Sequence, residues 1–201
     1  MSNLRIALIG SRKLSEKQFQ KEAKLFYQVA FRCAELGIIL RSGGADGADL
    51  IAETAYRDAI YAGKAINSQV EIFIPWKSFQ AVRGVNNPLH HLHVVPSDPV
   101  LIKQSKDMVR KTHPASERLT KGAMKLHSRN MNQVFGLDLQ TPIEANICWT
   151  ENGDVVGGTR SAIVLCEQNN IPVFNLGRPD QDVVLEEIRQ FLLEKQVTGV
   201  K

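Results

Sequence analysis

Ser42-Gly43-Gly44-Ala45-Asp46-Gly47-Ala48-Asp49 is the stretch whose reading decides the fold. It follows apolar Gly37-Ile38-Ile39-Leu40, which predicts a short buried strand. It precedes Leu50-Ile51-Ala52-Glu53-Thr54-Ala55-Tyr56, which predicts the opening of a helix reaching about Gly63. The stretch is therefore a glycine-rich strand-to-helix turn. Gly43, Gly44 and Gly47 permit positive φ and clear away β-carbons, so backbone NH groups at the helix start are expected to converge on an anion. The plainer reading is a tight turn capped by Asp46 or Asp49. Neither the Gly-Lys-Ser/Thr of a P-loop nor GxGxxG spacing is present, and the sequence calls for no cofactor.

Working outward, Arg5-Ile6-Ala7-Leu8-Ile9 predicts a first strand that ends in Gly10-Ser11-Arg12, with a helix expected between Glu16 and Leu36. If strands one and two are parallel neighbours, both glycine turns open on the edge where open α/β sheets collect ligands, and Arg12 becomes an anion clamp. Val70-Glu71-Ile72-Phe73-Ile74 predicts a third strand, followed by Trp76, a residue suited to stacking on a base or to covering the core edge. From about 80 to 116 the pattern loosens around Asn87-Pro88, Pro96-Ser97-Asp98-Pro99 and His113-Pro114, with a strand at His93-Val94-Val95. This region is expected to be a loop-rich insertion, either a cover over the site or an oligomer contact. His90, His91 and His93 have no partner at ligand spacing, so no metal is expected.

Glu117 to Phe135 predicts a helix with Leu126, Met131 and Val134 buried, leaving Arg129 and Asn130 to grip a phosphate or ribose. Ala145-Asn146-Ile147-Cys148-Trp149 predicts a strand ending at Thr150. A second glycine-rich helix entry then follows at Gly157-Gly158-Thr159, with a last strand within Ile171 to Gly177. The C-terminal helix, about Asp180 to Lys195, is expected to cover the sheet through Val183, Val184, Ile188 and Leu192. The fold class that emerges is α/β: one Rossmann-like domain with a parallel sheet and helices on both faces.

A chain of 201 residues with 43% hydrophobic and 23% charged residues suits one well-buried domain and argues against disorder. No apolar run approaches a membrane span, and Met1 to Arg5 leads straight into a strand without signal-peptide shape, so no membrane and a cytoplasmic location are expected. The net charge of +4 is spread along the chain and points only generally to anionic partners. Cys33, Cys148 and Cys166 lack disulfide or zinc spacing and read as core residues.

Taken together, IALIGSR, RSGGADGADLIAETA, LHSRNMNQVFG and GGTRSAIVLCEQNNIPVFNLG resemble the SLOG superfamily, the Rossmann-like group that includes the DNA-processing protein A and Lonely Guy families. With the segments around Trp76 and Thr150 added, the chain is similar to stand-alone members carried by bacteriophages and mobile elements. The resemblance implies a nucleotide or nucleotide-derived ligand held across the glycine turns by Gly10, Ser11, Arg12, Ser42, Gly43, Gly44, Ala45, Asp46, Gly47, Asp49, Trp76, Arg129, Asn130, Thr150, Gly157, Gly158 and Thr159. It also implies a homo-oligomer.

Lonely Guy enzymes cleave an N-glycosidic bond with a glutamate of the motif Pro-Gly-Gly-x-Gly-Thr-x-x-Glu. Here Val156 stands for the proline and Ala162 for the glutamate. Asp46, Asp49 and Glu53 are the carboxylates left for such chemistry. Three functions follow: capture or sensing of a nucleotide signal, as in phage counter-defence; N-glycosidic cleavage; and handling of single-stranded DNA. The last ranks lowest, because no dense basic patch with interleaved aromatics is present.

Overall fold

The computed structural model describes residues 4–79 and 88–198. Six strands, β1 (Arg5–Gly10), β2 (Ile39–Ser42), β3 (Val70–Phe73), β4 (His93–Val94), β5 (Ala145–Trp149) and β6 (Val173–Asn175), form one sheet. Their order is β4-β3-β2-β1-β5-β6. All neighbours are parallel, with Ile6 opposite Leu40 on one side of β1 and opposite Ala145 on the other. The chain thus winds from β1 out to β4, then returns across the sheet to build β5 and β6 on the far side of β1. The gap between β1 and β5 is the topological switch point, where the crossovers diverge and leave a crevice at the strand carboxyl ends.

Alternation along each strand feeds two cores, since successive side chains point to opposite faces. Ile6, Leu8, Leu40, Ile72, Ile147 and Trp149 pack against α1 (Gln20–Glu35), α2 (Ala48–Tyr61) and α6 (Gln181–Thr198), where Phe26, Ala52, Tyr56, Val184 and Ile188 are buried. Ala7, Ile9 and Cys148 face the other way, against α3 (Pro99–Thr112), α4 (Lys121–Phe135) and α5 (Arg160–Gln168), through Val109, Met131, Val134 and Ile163. Helices on both faces keep water from an all-parallel sheet, and each large apolar side chain buried this way contributes about 1.5–3 kcal/mol.

Several expectations are corrected. The loop-rich insertion expected at about 80–116 contains a 14-residue helix, α3. Pro96-Ser97-Asp98-Pro99 starts that helix rather than breaking structure: Asp98 caps it by accepting the NH groups of Val100 and Leu101, and Pro99 takes the first-turn position where its missing NH costs nothing. Gln80 to Asn87 lie outside the described residues. The strand before the first glycine turn runs two residues further than its apolar core, because Arg41 and Ser42 are buried by partners of their own. Ser42 Oγ donates to Leu8 O at 3.1 Å, and Arg41 Nε meets Glu71 Oε2 at 2.5 Å. The helix expected from Glu16 opens with two 3-10 turns, and α1 begins only at Gln20. Val183 is exposed while Val184 and Ile188 are buried, so α6 covers the sheet with a narrower stripe than its sequence suggests.

The three cysteines are buried, and burial pushes the Cys33 and Cys166 thiols up to about 12 and Cys148 higher still, as core residues require. No helix among the described residues is long and apolar enough to cross a membrane.

Candidate functional site

At the end of β1 the Gly10 NH donates to Asp49 Oδ1 at 3.2 Å and the Ser11 NH donates to Trp149 O at 2.9 Å. A β-carbon on Gly10 would stand 2.4 Å from that carbonyl, so the turn requires glycine. Ser11 Oγ accepts the Lys13 NH at 3.2 Å and opens a 3-10 turn that turns Arg12 and Lys13 outward.

Asp49 is no helix cap: α2 is capped by Gly47 without a side-chain bond. Its carboxylate instead joins two strand ends. Oδ1 accepts Gly10 N, and Oδ2 accepts Gly43 N at 3.1 Å and lies 3.5 Å from Arg129 Nη1. Both NH groups would otherwise be buried without partners, a cost of about 1–3 kcal/mol each. The first glycine turn therefore turns a donor inward, to Asp49, and not toward a guest.

Arg129 projects from α4 over Gly43, where an added β-carbon would fall 1.3 Å from Nη1. Its guanidinium also lies 5.7 Å from the Phe79 ring centroid. Gln133, one turn on, takes the amide orientation its neighbours dictate: Oε1 accepts Arg129 Nη1 at 2.9 Å and Gly43 N at 3.0 Å, while Nε2 donates to Asn130 Oδ1 at 3.0 Å. Arg129 is 7% exposed, and its Nε has no hydrogen-bond partner among the described residues.

The second glycine turn presents the donors that the first does not. Asn130 Nδ2 donates to Gly158 O at 2.9 Å and fixes the turn against α4. Gly157 has φ +65°, and α5 begins two residues after Gly158. Among the described residues, the NH groups of Gly157 and Gly158, just ahead of α5, donate to no acceptor. This is a pair of free donors at the positive end of a helix.

These elements enclose one cleft of about 490 Å³ at the switch point. That volume lies within the range of small-molecule sites. Gly10, Ser11, Arg12, Ala45, Asp49, Arg129, Asn130, Thr150, Gly157, Gly158 and Thr159 line it, as expected from the sequence. Ser42, Gly43, Gly44, Asp46, Gly47, Glu53 and Trp76 do not. Ser42 holds β1, Gly43 makes room for Arg129, and Gly47 packs on the Ser11 carbonyl. Glu53 is fully buried and meets His93 Nε2 at 3.0 Å, and Trp76 packs edge-on against Phe79 at 5.4 Å. Of the three carboxylates proposed for chemistry, only Asp49 reaches the cleft. Thr150 lines it, but its hydroxyl accepts from Asn175 Nδ2 at 2.7 Å.

Sequence reasoning missed Lys13, Leu126, His127, Gln133 and Glu151, all of which line the cleft. Leu126, expected in the core, faces the cleft because Ala123, Leu126, His127, Asn130 and Gln133 share one face of α4. Counting three and four residues from Asn130 would have found His127, Leu126 and Gln133. Lys13 Nζ and Glu151 Oε2 pair at 2.5 Å between the β1 and β5 loops, a contact no local pattern announces.

Electrostatically the cleft favours an anion. Burial pushes Asp49 up to about 6, with the Arg129 charge and the Gly10 NH pulling it back. Burial likewise lowers Arg129, opposed by Asp49 and reinforced by the nearby Arg12 charge, so two guanidiniums repel each other across the empty space. Arg12 is exposed and has no acidic partner among the described residues.

The fold and site define an α/β protein of the doubly wound, Rossmann-like class with a cleft at its switch point. No protein-family model, curated protein or solved structure matches this chain.

Proposed function

We propose that the chain binds a nucleotide or nucleotide-derived anion in the switch-point cleft and captures or senses it. One observation carries this reading. The buried Arg129 guanidinium, with Nε unpartnered, lines the same cleft as the acceptor-free NH groups just ahead of α5. A largely buried guanidinium beside backbone NH groups that have no protein acceptor is a set of donors that an anionic guest can meet. The resemblance to SLOG proteins supports a nucleotide as that anion, and the glutamate missing at Ala162 supports binding over glycosidic cleavage. Asp49 adds to this, since both its oxygens already accept backbone NH groups.

Native mass spectrometry of freshly purified protein, followed by release and mass analysis of any small molecule, tests the proposal alongside a thermal-shift panel of AMP, ADP, ATP, GMP and cyclic AMP. An intact nucleotide, or a panel member that raises the melting temperature and binds roughly tenfold more weakly to Arg12→Ala, supports capture. Arg12 suits the test because it is exposed, so its loss leaves the fold intact. Free base and ribose phosphate appearing in the panel would shift the reading to cleavage. An empty protein that no nucleotide stabilises would refute it.

A further inference from the structure

His127 lines the cleft from α4, yet nothing in the nucleotide reading so far uses it. Its Nδ1 lies 2.7 Å from Ser161 Oγ, within the first turn of α5 and a few residues after the acceptor-free NH groups of Gly157 and Gly158. Its Nε2 has no hydrogen-bond partner among the described residues. The ring of His113, at the end of α3, packs against it with ring centroids 4.6 Å apart and planes tilted by 59°.

The nature of the Nδ1 partner matters. A carboxylate there would hold the ring charged, and a backbone carbonyl would hold one tautomer. A serine hydroxyl does neither, because it donates to a neutral ring nitrogen and accepts from a protonated one. The imidazole can therefore change charge without breaking its positioning bond.

We propose that His127 is a ligand-contacting residue that takes up one proton when an anionic group of the phosphate class occupies the mouth of α5. In the protonated ring Nδ1–H donates to Ser161 Oγ, Nε2–H donates to a ligand oxygen, and the proton comes from solvent. This inference rests on the nucleotide-binding reading and adds a pH-linked contact to it.

The surroundings set the direction. Without a guest, burial, the neighbouring His113 and the Arg129 charge all hold His127 below its ordinary range. The remaining charged groups of the cleft are Arg12 and Lys13 from the β1 loop, Glu151 from the β5 loop and Asp49 from α2. Neither carboxylate is spare: Glu151 is paired with Lys13, and Asp49 with Arg129 and two backbone NH groups. The missing counter-charge is the ligand's own, so anion binding raises the affinity of His127 for a proton and, by linkage, protonation raises the affinity for the anion.

The test is calorimetric titration of the tightest-binding of AMP, ADP and ATP into wild type and His127→Gln. It runs from about pH 5.5 to about pH 8, where a histidine titrates, in two buffers of different ionisation enthalpy. The phosphate's own second ionisation, at a pKa of about 6, acts in the opposite sense, but it is common to both proteins and cancels in the comparison. The expected result is proton uptake by wild type relative to the variant. The affinity advantage of wild type should shrink, by up to about tenfold per pH unit, as the pH rises through the window. If the variant does not fold, ring-nitrogen NMR of the wild type reports instead, with the His127 signal moving toward imidazolium on adding the nucleotide. Equal proton counts and parallel pH profiles, or a His127 signal that does not move, would overturn this inference and leave the nucleotide reading standing. Absence of binding by all three would overturn this inference, and with an empty protein and no binding of GMP or cyclic AMP it would overturn the nucleotide reading as well.

Discussion

Gly43→Ala changes a single hydrogen into a methyl group and tests how Arg129 is held. Gly43 does not have positive φ, so alanine meets no backbone strain there, and the unfolded-state entropy lost by adding Cβ favours folding by about 0.4–1 kcal/mol. Against this, the new methyl would lie 1.3 Å from Arg129 Nη1 and 2.4 Å from its Cζ. The guanidinium cannot slide within the interior, because Asp49 and Phe79 flank it. It must swing into the cleft, off Asp49, at the cost of overpacking, about 1–3 kcal/mol. The middle of both ranges gives a net loss of about 1.3 kcal/mol, equivalent to roughly 3–5 °C in melting temperature for a chain of this size. Urea denaturation of wild type, Gly43→Ala, Arg129→Ala and the double variant closes a thermodynamic cycle. In the Arg129→Ala background the methyl should cost clearly less, because the clash that remains is with the Gln133 side-chain amide at 2.5 Å, the end of a flexible chain. A loss below about 0.5 kcal/mol in the single variant, or the same loss in both backgrounds, would refute the claim that glycine is required here by the arginine above it.

Two further outcomes follow from the same geometry. Asp49 is raised from 3.8 to about 6 in the folded chain, so between about pH 4 and about pH 6 the folded state holds more protons than the unfolded one. Its contribution is therefore fullest below about pH 4 and is lost as the pH rises through 6. The stability of wild type relative to Asp49→Asn should fall by up to about 3 kcal/mol between pH 4 and 7, and a difference that grows with pH would show Arg129 outweighing burial. Trp76 lies outside the cleft, so Trp76→Ala should leave nucleotide affinity within about twofold of wild type, as calorimetry can check; a loss of tenfold would place the base elsewhere than the switch point.

The α/β class and the edge on which the strand-end turns open were legible because they are local: apolar runs ending in Gly10, in Ser42-Gly43-Gly44 and in Trp149-Thr150 mark strand ends, and parallel order puts them on one side. What the sequence hid was the direction of each donor. Gly43 and Gly157 look alike as letters, yet the NH of one is consumed by Asp49 and the NH of the other is free. That difference depends on a carboxylate six residues further on and folded back beneath the strand end. Glu53 looked available for chemistry, but its partner His93 comes from a strand 40 residues away. Helix α3 was lost for a different reason: its Asp-Pro start resembles a break until the cap is recognised. His127 and Gln133 were within reach, since they share a helix face with Asn130.

The ion pair of Asp49 and Arg129 ties the β1 end, the β2 end and α4 into one unit, and the same arginine lines the cleft. Floor and rim are therefore unequal in their freedom to vary. A lineage that drifts toward a new ligand can exchange Arg12, Lys13 or Val156 at the margin without penalty to the scaffold. Loss of Arg129 leaves the buried Asp49 carboxylate without its counter-charge and costs the scaffold stability. Such a chain is expected to keep the Asp49–Arg129 floor while the residues around the opening vary.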